Sequence, residues 1–319
     1  MRGASAAILL ASLVAAAAWA EEPRQILEKP SIVIGVRIDT PPFSWQDANG
    51  GYLGFLVNLC FEAAARAEYP IARTVAVDAA RRREILRGEG EPVDVLCDPT
   101  TMTIGRIADL RERTELEFSP IIFVANGSYV ERTEDTAGRL TAVDAANCVP
   151  QQTGERTEPA PEPVWLAAGF VLGTTGEQVV RDAIRARALE LGPGEAVCPV
   201  EMPTHWAAAK AFCAGDLHYY FGDQDILRSV LAMTALEQSD CPTTPDALPL
   251  SYEPYALALS NRLPGFRQDF VMALYELLHH DPAEGRFARS FEGRAMSPFL
   301  RTLFRINRLP RGVRDRDDS

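Results

Sequence analysis

Lysine is nearly absent from this 319-residue chain: Lys29 and Lys210 are the only two, and arginine carries the rest of the basic charge. The balance is acidic, with 44 Asp and Glu against 32 Lys and Arg and a formal net charge of -12. That makes the chain a poor match for nucleic acid or for an anionic membrane. Histidine is scarce as well. His205, His218, His279 and His280 stand at no ligand-like spacing from the cysteines, and no C-x-x-C pair occurs. Both absences argue against a metal site, and no cofactor is expected. There is no internal repeat and no low-complexity block.

What is present begins at the N-terminus. Arg2 supplies a positive charge, Ala6 to Ala18 is small and apolar, and Ala18-Trp19-Ala20 is an A-x-A cleavage site before Glu21-Glu22. This is the pattern of a secretory signal peptide, residues 1–20. The run is short and alanine-rich for a membrane anchor, and no stop-transfer flank follows. The first cysteine after it is Cys60, so none stands at the cleavage point to carry a lipid. A free, exported, periplasmic protein is expected, without stable membrane insertion. The remaining 299 residues (319 minus 20) suffice for two lobes with real cores, and loss of Arg2 takes the charge from -12 to -13. In an exported chain an even set of cysteines (Cys60, Cys97, Cys148, Cys198, Cys213 and Cys241) favours disulfides over metal. Six cysteines allow fifteen pairings, and spacing alone does not select one.

The chain alternates strand and helix signals. Ser31–Val36 is an apolar, β-branched run ended by Thr40-Pro41-Pro42. Asn49-Gly50-Gly51 marks a turn, and Gly54–Tyr69 places Phe55, Leu59 and Ala63 at helical spacing. Val93–Cys97 and Ile121–Val124 are the next strands, so a parallel α/β unit is expected. Residues 148–165, polar and bearing Pro150, Pro159, Pro161 and Pro163, read as a loop or inserted excursion. Further on, Phe170–Leu172, Leu217–Phe221 and Tyr252–Leu259 read as strands. Gly176–Leu191, Thr204–Ala214 and Arg262–His280 read as helices. The tail from Arg308 is expected to be loose.

Four segments fall at carboxyl ends of strands, where open α/β sheets bind ligands. They are Pro41–Trp45, Cys97–Arg106, Gly173–Gly176 and Phe221–Asp223. Arg106 presents a planar fork that fits a carboxylate, with the Thr101 hydroxyl and N–H beside it. Thr174 and Thr175 open a helix, where free N–H groups favour an anion. Asp223 can accept from an ammonium group, and Phe43 and Trp45 can form an apolar wall. Each has a plainer reading. Arg106 can be a surface helix arginine, Thr174, Thr175 and Asp223 can be caps, and Phe43 and Trp45 can be core. His279-His280 fits a dipole role at a helix C-terminus. Asn126-Gly127-Ser128 matches a glycosylation sequon but reads as a hinge-side turn.

Taken in order, these motifs resemble the family 3 extracellular solute-binding proteins, the amino-acid receptors of bacterial ABC importers. The resemblance rests on Gly35-Val36 through Pro41–Ser44, Gly54-Phe55, Asp94–Cys97 with Thr100–Thr103 and Arg106, and Phe118–Pro120. It continues through Gly173–Glu177, Phe221–Asp223 and Phe291–Gly293, across nearly the whole chain after residue 20. It implies an α/β periplasmic-binding-protein fold of type II, two lobes joined by crossover strands near Phe123–Ser128 and Tyr252–Leu259. Residues 21–124 plus 254–293 would form one lobe and 125–253 the other, with 294–319 a partly disordered extension. It implies that Arg106 and Thr101 hold the ligand carboxylate, that Thr174 and Thr175 reach over from the second lobe, and that Asp223 takes the amine. Hinge closure would then present the protein, as a monomer, to a membrane permease.

The chain departs from the family pattern at Asp98-Pro99, where Asp98 would put a negative charge near the cleft mouth, and at the 148–165 excursion. The disulfides expected from lobe placement are Cys60–Cys97, Cys148–Cys198 and Cys213–Cys241. Two other functions stay open. One is a dehydratase-like enzyme of the same fold, for which Glu177 and His218 are the candidate acid or base. The other is an accessory or signalling module that uses the excursion to bind a protein.

Overall fold

The computed structural model describes residues 28–132, 164–186, 189, 191–192, 195–237, 241, 249–280, 283–291 and 293–308. The expected signal peptide, Cys148, the excursion up to residue 163 and the tail beyond Arg308 lie outside the described residues, as do the side chains of His279 and His280.

The first lobe is built on β1 (Ile32–Arg37), which lies parallel to β5 (Ile71–Val77) on one side and β6 (Val95–Thr101) on the other. Strands covered on both faces need apolar side chains on both, and this is why β1 reads as a continuous apolar run rather than an alternating one. Helix α1 (Phe55–Arg66) connects β1 to β5 and buries Phe55, Leu59 and Ala63, the residues whose spacing predicts it. It starts at Gly54, whose φ is 129° and where an added Cβ would lie 2.2 Å from the Phe43 carbonyl oxygen, so glycine is required. Helix α2 (Ala79–Leu86), capped by Asp78, returns the chain to β6, and α3 (Ile104–Arg113), capped by Thr103, follows it. Three short strands, β2 (Asp39–Thr40), β3 (Ser44–Gln46) and β4 (Tyr52–Leu53), form a separate small sheet.

Two long strands carry the chain between lobes. β8 (Phe123–Glu131) and β12 (Ser251–Ser260) pair antiparallel from Ser251↔Gly127 to Tyr255↔Phe123. Beyond Tyr255, β12 pairs with β6, and it also carries β7 (Leu116–Phe118). Beyond Gly127, β8 pairs with β11 (Tyr219–Asp223), which lies parallel to β9 (Val164–Val171); β10 (Glu195–Met202) completes the edge. The result is one nine-stranded sheet, eight strands in the order β10-β9-β11-β8-β12-β6-β1-β5 with β7 as the ninth beside β12, bridged at the middle by the two crossover strands. The sequon at Asn126-Gly127-Ser128 needs correcting: it is strand interior in β8, not a turn, and Ser128 is fully buried.

Helices α4 (Gly176–Arg185), α5 (His205–Ala214) and α6 (Gln224–Ala235) cover the second lobe, while α7 (Phe266–His280), α8 (Ala283–Ser290) and α9 (Pro298–Asn307) return to the first. The first lobe's core contains an aromatic cluster. Phe43, Phe55, Phe123, Tyr255 and Phe291 are each at most 1 % exposed, with Phe43 edge-on to Phe123 at 4.8 Å and Phe123 stacked on Phe291 at 5.5 Å. Each such ring contributes about 1.5–3 kcal/mol by leaving water. Helix α9 adds Leu300 and Phe304 to this core, and Asn307 Nδ2 donates to the Ile121 carbonyl at 2.8 Å. Cys60 on α1 is bonded to Cys97 on β6 with Cα atoms 6.2 Å apart, and Cys213 on α5 is bonded to Cys241 with Cα atoms 4.8 Å apart. Cys198 is disulfide-bonded as well.

Candidate functional site

Strand ends and helix starts from both lobes meet beside the paired crossover strands β8 and β12. Arg106 stands in the first turn of α3, and its backbone N–H donates to the capping Thr103 hydroxyl at 3.2 Å. Its guanidinium folds back over β6. Nη1 donates to the Thr101 carbonyl at 2.8 Å, and Nη2 crosses to the second lobe and donates to the Gly173 carbonyl at 3.0 Å. Burial pulls the Arg106 pKa below its ordinary value, while Asp98, Glu253 and Asp223 act in the opposite direction.

The second lobe contributes the Gly173–Gly176 turn and the end of β11. Thr174 Oγ1 donates to the Val171 carbonyl at 2.6 Å and accepts from Gly176 N–H at 3.1 Å, so it shapes the turn. Thr175 is the N-cap residue of α4 but makes no side-chain capping bond; its hydroxyl donates to Glu253 Oε2 at 2.7 Å. Asp223 likewise stands at the N-cap of α6 without capping it, and its Oδ2 accepts instead from the Tyr255 hydroxyl. Burial pushes the Asp223 carboxyl up to about 8, and the neighbouring Glu253 charge adds to this. Thr174, Thr175, His205 and Asp223 line a cavity of about 20 Å³ together with Gly127 and Gly222.

Beneath Arg106 lies a buried charge network that the sequence reading did not single out. Arg37, fully buried at the end of β1, pairs with Asp39 through Nε and Nη2 and with Asp98 through Nη1 at 3.3 Å. Arg82 of α2, 3 % exposed, pairs with Asp98 through Nη1 at 3.4 Å and donates from Nη2 to the Gly173 carbonyl at 2.6 Å. Two arginines and two aspartates thus neutralise each other out of water, the condition for burying charge at all. Burial alone would lower the Arg37 pKa, but Asp39 and Asp98 raise it. Burial alone would raise the Asp39 pKa, but Arg37 and His205 lower it. Asp39 Oδ2 also accepts from the backbone N–H of His205 at 2.8 Å, so a first-lobe carboxylate caps the second-lobe helix α5, where the dipole favours it. Burial holds the His205 pKa down at about 4, and its Nδ1 lies 2.6 Å from the Tyr220 hydroxyl.

Arg106, Thr101, Thr174, Thr175 and Asp223 are therefore brought to one inter-lobe region. Two other expectations change. Asp98 is not a negative charge near the mouth: it is fully buried between Arg37 and Arg82 and takes the Thr100 hydroxyl as well. Phe43 faces the aromatic core rather than the cleft, and Trp45 lies part-buried on the small sheet opposite Asp39 and Leu53. Glu253 is the acidic residue that the reading of Tyr252–Leu259 passed over, although one acid in an otherwise apolar strand was a visible signal. The candidate enzyme groups do not join the site. Glu177 pairs with Arg181 at 3.0 Å on the exposed face of α4, and His218 lies 3.6 Å from Glu131 against the Tyr219 ring.

No family model matches the chain, and no curated protein matches it. Solved structures do. An ancestral arginine-binding protein bound to arginine is 18% identical, with 83% of this chain and 99% of that one covered at a TM-score of 0.59. A periplasmic His/Glu/Gln/Arg/opine family-binding protein from Silicibacter pomeroyi in complex with lysine is also 18% identical, covering 84% and 100% at 0.57. A histidine kinase sensor domain with similarity to periplasmic binding proteins is 16% identical, covering 82% and 96% at 0.56. The likeness establishes the fold: a periplasmic-binding-protein fold of type II, two α/β lobes joined by two crossover strands. No helix among the described residues is long and apolar enough to cross a membrane.

Proposed function

We propose that the chain is exported to the periplasm and there, as a monomer, binds an amino acid or amino-acid-like solute between its lobes by hinge closure, for delivery to an ABC permease. The observation that supports this reading is that Arg106, bonded to the Thr101 carbonyl, reaches across to the Gly173 carbonyl next to Thr174 and Thr175 and interacts electrostatically with Asp223. The cleft also separates charge: arginine donors gather at Gly173, while Asp223 and Glu253 stand together on β11 and β12. That layout suits a solute with a carboxylate at one end and an ammonium at the other. A ligand carboxylate is a stronger acceptor for the Arg106 fork than the neutral carbonyls it now bonds. The solved structures of this fold with arginine and with lysine bound support the same reading. Arg106→Ala, measured by calorimetry, is expected to weaken binding at least tenfold, since a hydrogen bond to a charged group is worth about 1.5–3 kcal/mol. Equal affinity in the variant would remove Arg106 from the site.

One observation favours a second reading, an accessory or signalling module. Direct bonds run from one lobe to the other, from Arg82 and Arg106 to the Gly173 carbonyl and from the His205 N–H to Asp39. A sensor domain shares the fold. Under that reading no small solute raises the melting temperature.

A further inference from the structure

Two guanidinium groups converge on one oxygen. Arg82 Nη2 reaches the Gly173 carbonyl at 2.6 Å and Arg106 Nη2 reaches it at 3.0 Å, so the two nitrogens lie no more than 5.6 Å apart (2.6 plus 3.0). They come from different helices, α2 and α3, and the oxygen belongs to the opposite lobe. Arg82 is 3 % exposed, and its Nε is buried with no hydrogen-bond partner. Burial holds its pKa down at about 10; Asp98 opposes this, while Arg37 and Arg106 add to it. Arg82 is buried and Arg106 half-buried, so like charges held this close repel, and a neutral carbonyl offsets little of that repulsion. An anionic oxygen at the same point would offset far more, and the planar forks suit a carboxylate.

We infer that Arg82 is a second ligand-clamping arginine, and that in the solute-bound protein a carboxylate of the solute takes the place of the Gly173 carbonyl between Arg82 and Arg106. This rests on the solute-binding function proposed above. It adds that α2 supplies a second carboxylate donor alongside α3. Asp98 is then a positioning residue: it holds Arg82 through Nη1 at 3.4 Å while Arg37 and Asp39 balance the remaining charge.

The test compares each amino acid with the amine that lacks its carboxylate: L-arginine with agmatine, L-lysine with cadaverine, L-histidine with histamine. Calorimetry is run on wild type, Arg82→Gln and Arg82→Lys. Wild type should bind the amino acid of the preferred pair at least tenfold more tightly than the amine. Arg82→Gln should lose at least tenfold for the amino acid and less than twofold for the amine, with Arg82→Lys in between. A merely structural Arg82 would weaken both partners alike. As a measurement that needs no variant, the Nε–H resonance of Arg82 in the wild-type protein should shift with the amino acid and not with the amine. An amino-acid-to-amine ratio unchanged by Arg82→Gln, or a resonance indifferent to the carboxylate, overturns this inference alone. Wild-type protein that binds no amino acid overturns both it and the proposed function.

Discussion

Asp98→Asn separates a buried carboxylate from a surface one. Asp98 has no exposed side-chain surface and bridges Arg37 and Arg82, whose side chains are 0 % and 4 % exposed. Removing one partner from a buried ion pair costs about 3–5 kcal/mol, because the other charge is left uncompensated. The low end applies here. Arg37 keeps Asp39, and an asparagine can still accept from the Thr100 hydroxyl, so the loss falls mainly on Arg82. A cost of about 3 kcal/mol corresponds to a fall in melting temperature of about 6–12 °C at roughly 2–4 °C per kcal/mol. The assay is differential scanning calorimetry of the oxidised protein at neutral pH. A charge near the cleft mouth would behave as an ordinary surface position, within about 0.5 kcal/mol of neutral. A shift of about 1 °C or less would refute the network as the support of this cleft.

Further outcomes follow from particular groups. Because burial holds the Asp223 carboxyl near 8, a solute ammonium must displace a proton from it at lower pH, so affinity should fall as pH drops below about 8, by up to tenfold per unit, and Asp223→Asn should flatten the profile. The same raised pKa means that the folded chain retains a proton the unfolded chain releases above 3.8. Its contribution to stability is full below that value and lost as pH rises through about 8, which thermal melts across that window will show. Cys60→Ser with Cys97→Ser opens a link between residues 37 apart in sequence, a chain-entropy loss of about 4 kcal/mol, and should lower the melting temperature of the oxidised protein by several degrees.

The strands and helices with dense apolar signals were legible: β1, α1, α5, β12 and most of α7 stand where their patterns place them. Helix α2 was not. Ala79–Leu86 carries three successive arginines, Arg81, Arg82 and Arg83, which read locally as solvated, and only the fold shows that Arg82 is buried because Asp98 meets it. The same holds for the site. Arg106, Thr101, Thr174, Thr175 and Asp223 announce themselves by position at strand ends. Arg37, Asp39 and Glu253 matter through partners far along the chain: Arg37 and Asp98 are 61 residues apart, and Thr175 and Glu253 are 78 apart. Local periodicity carries no information about such pairs. It also could not show that Asp223 leaves its own helix uncapped to accept from Tyr255, since a cap and a cleft carboxylate share the same position.

Solute binding itself is tested by a thermal-shift screen of the protein against the twenty amino acids, then polyamines and small carboxylates. A solute held between the lobes at 100 times its dissociation constant should stabilise the protein by about 2.7 kcal/mol, a rise of roughly 5–11 °C. At least one amino acid should give that rise in wild type and lose most of it in Arg106→Ala. No shift with any compound in the screen would contradict solute binding in this cleft.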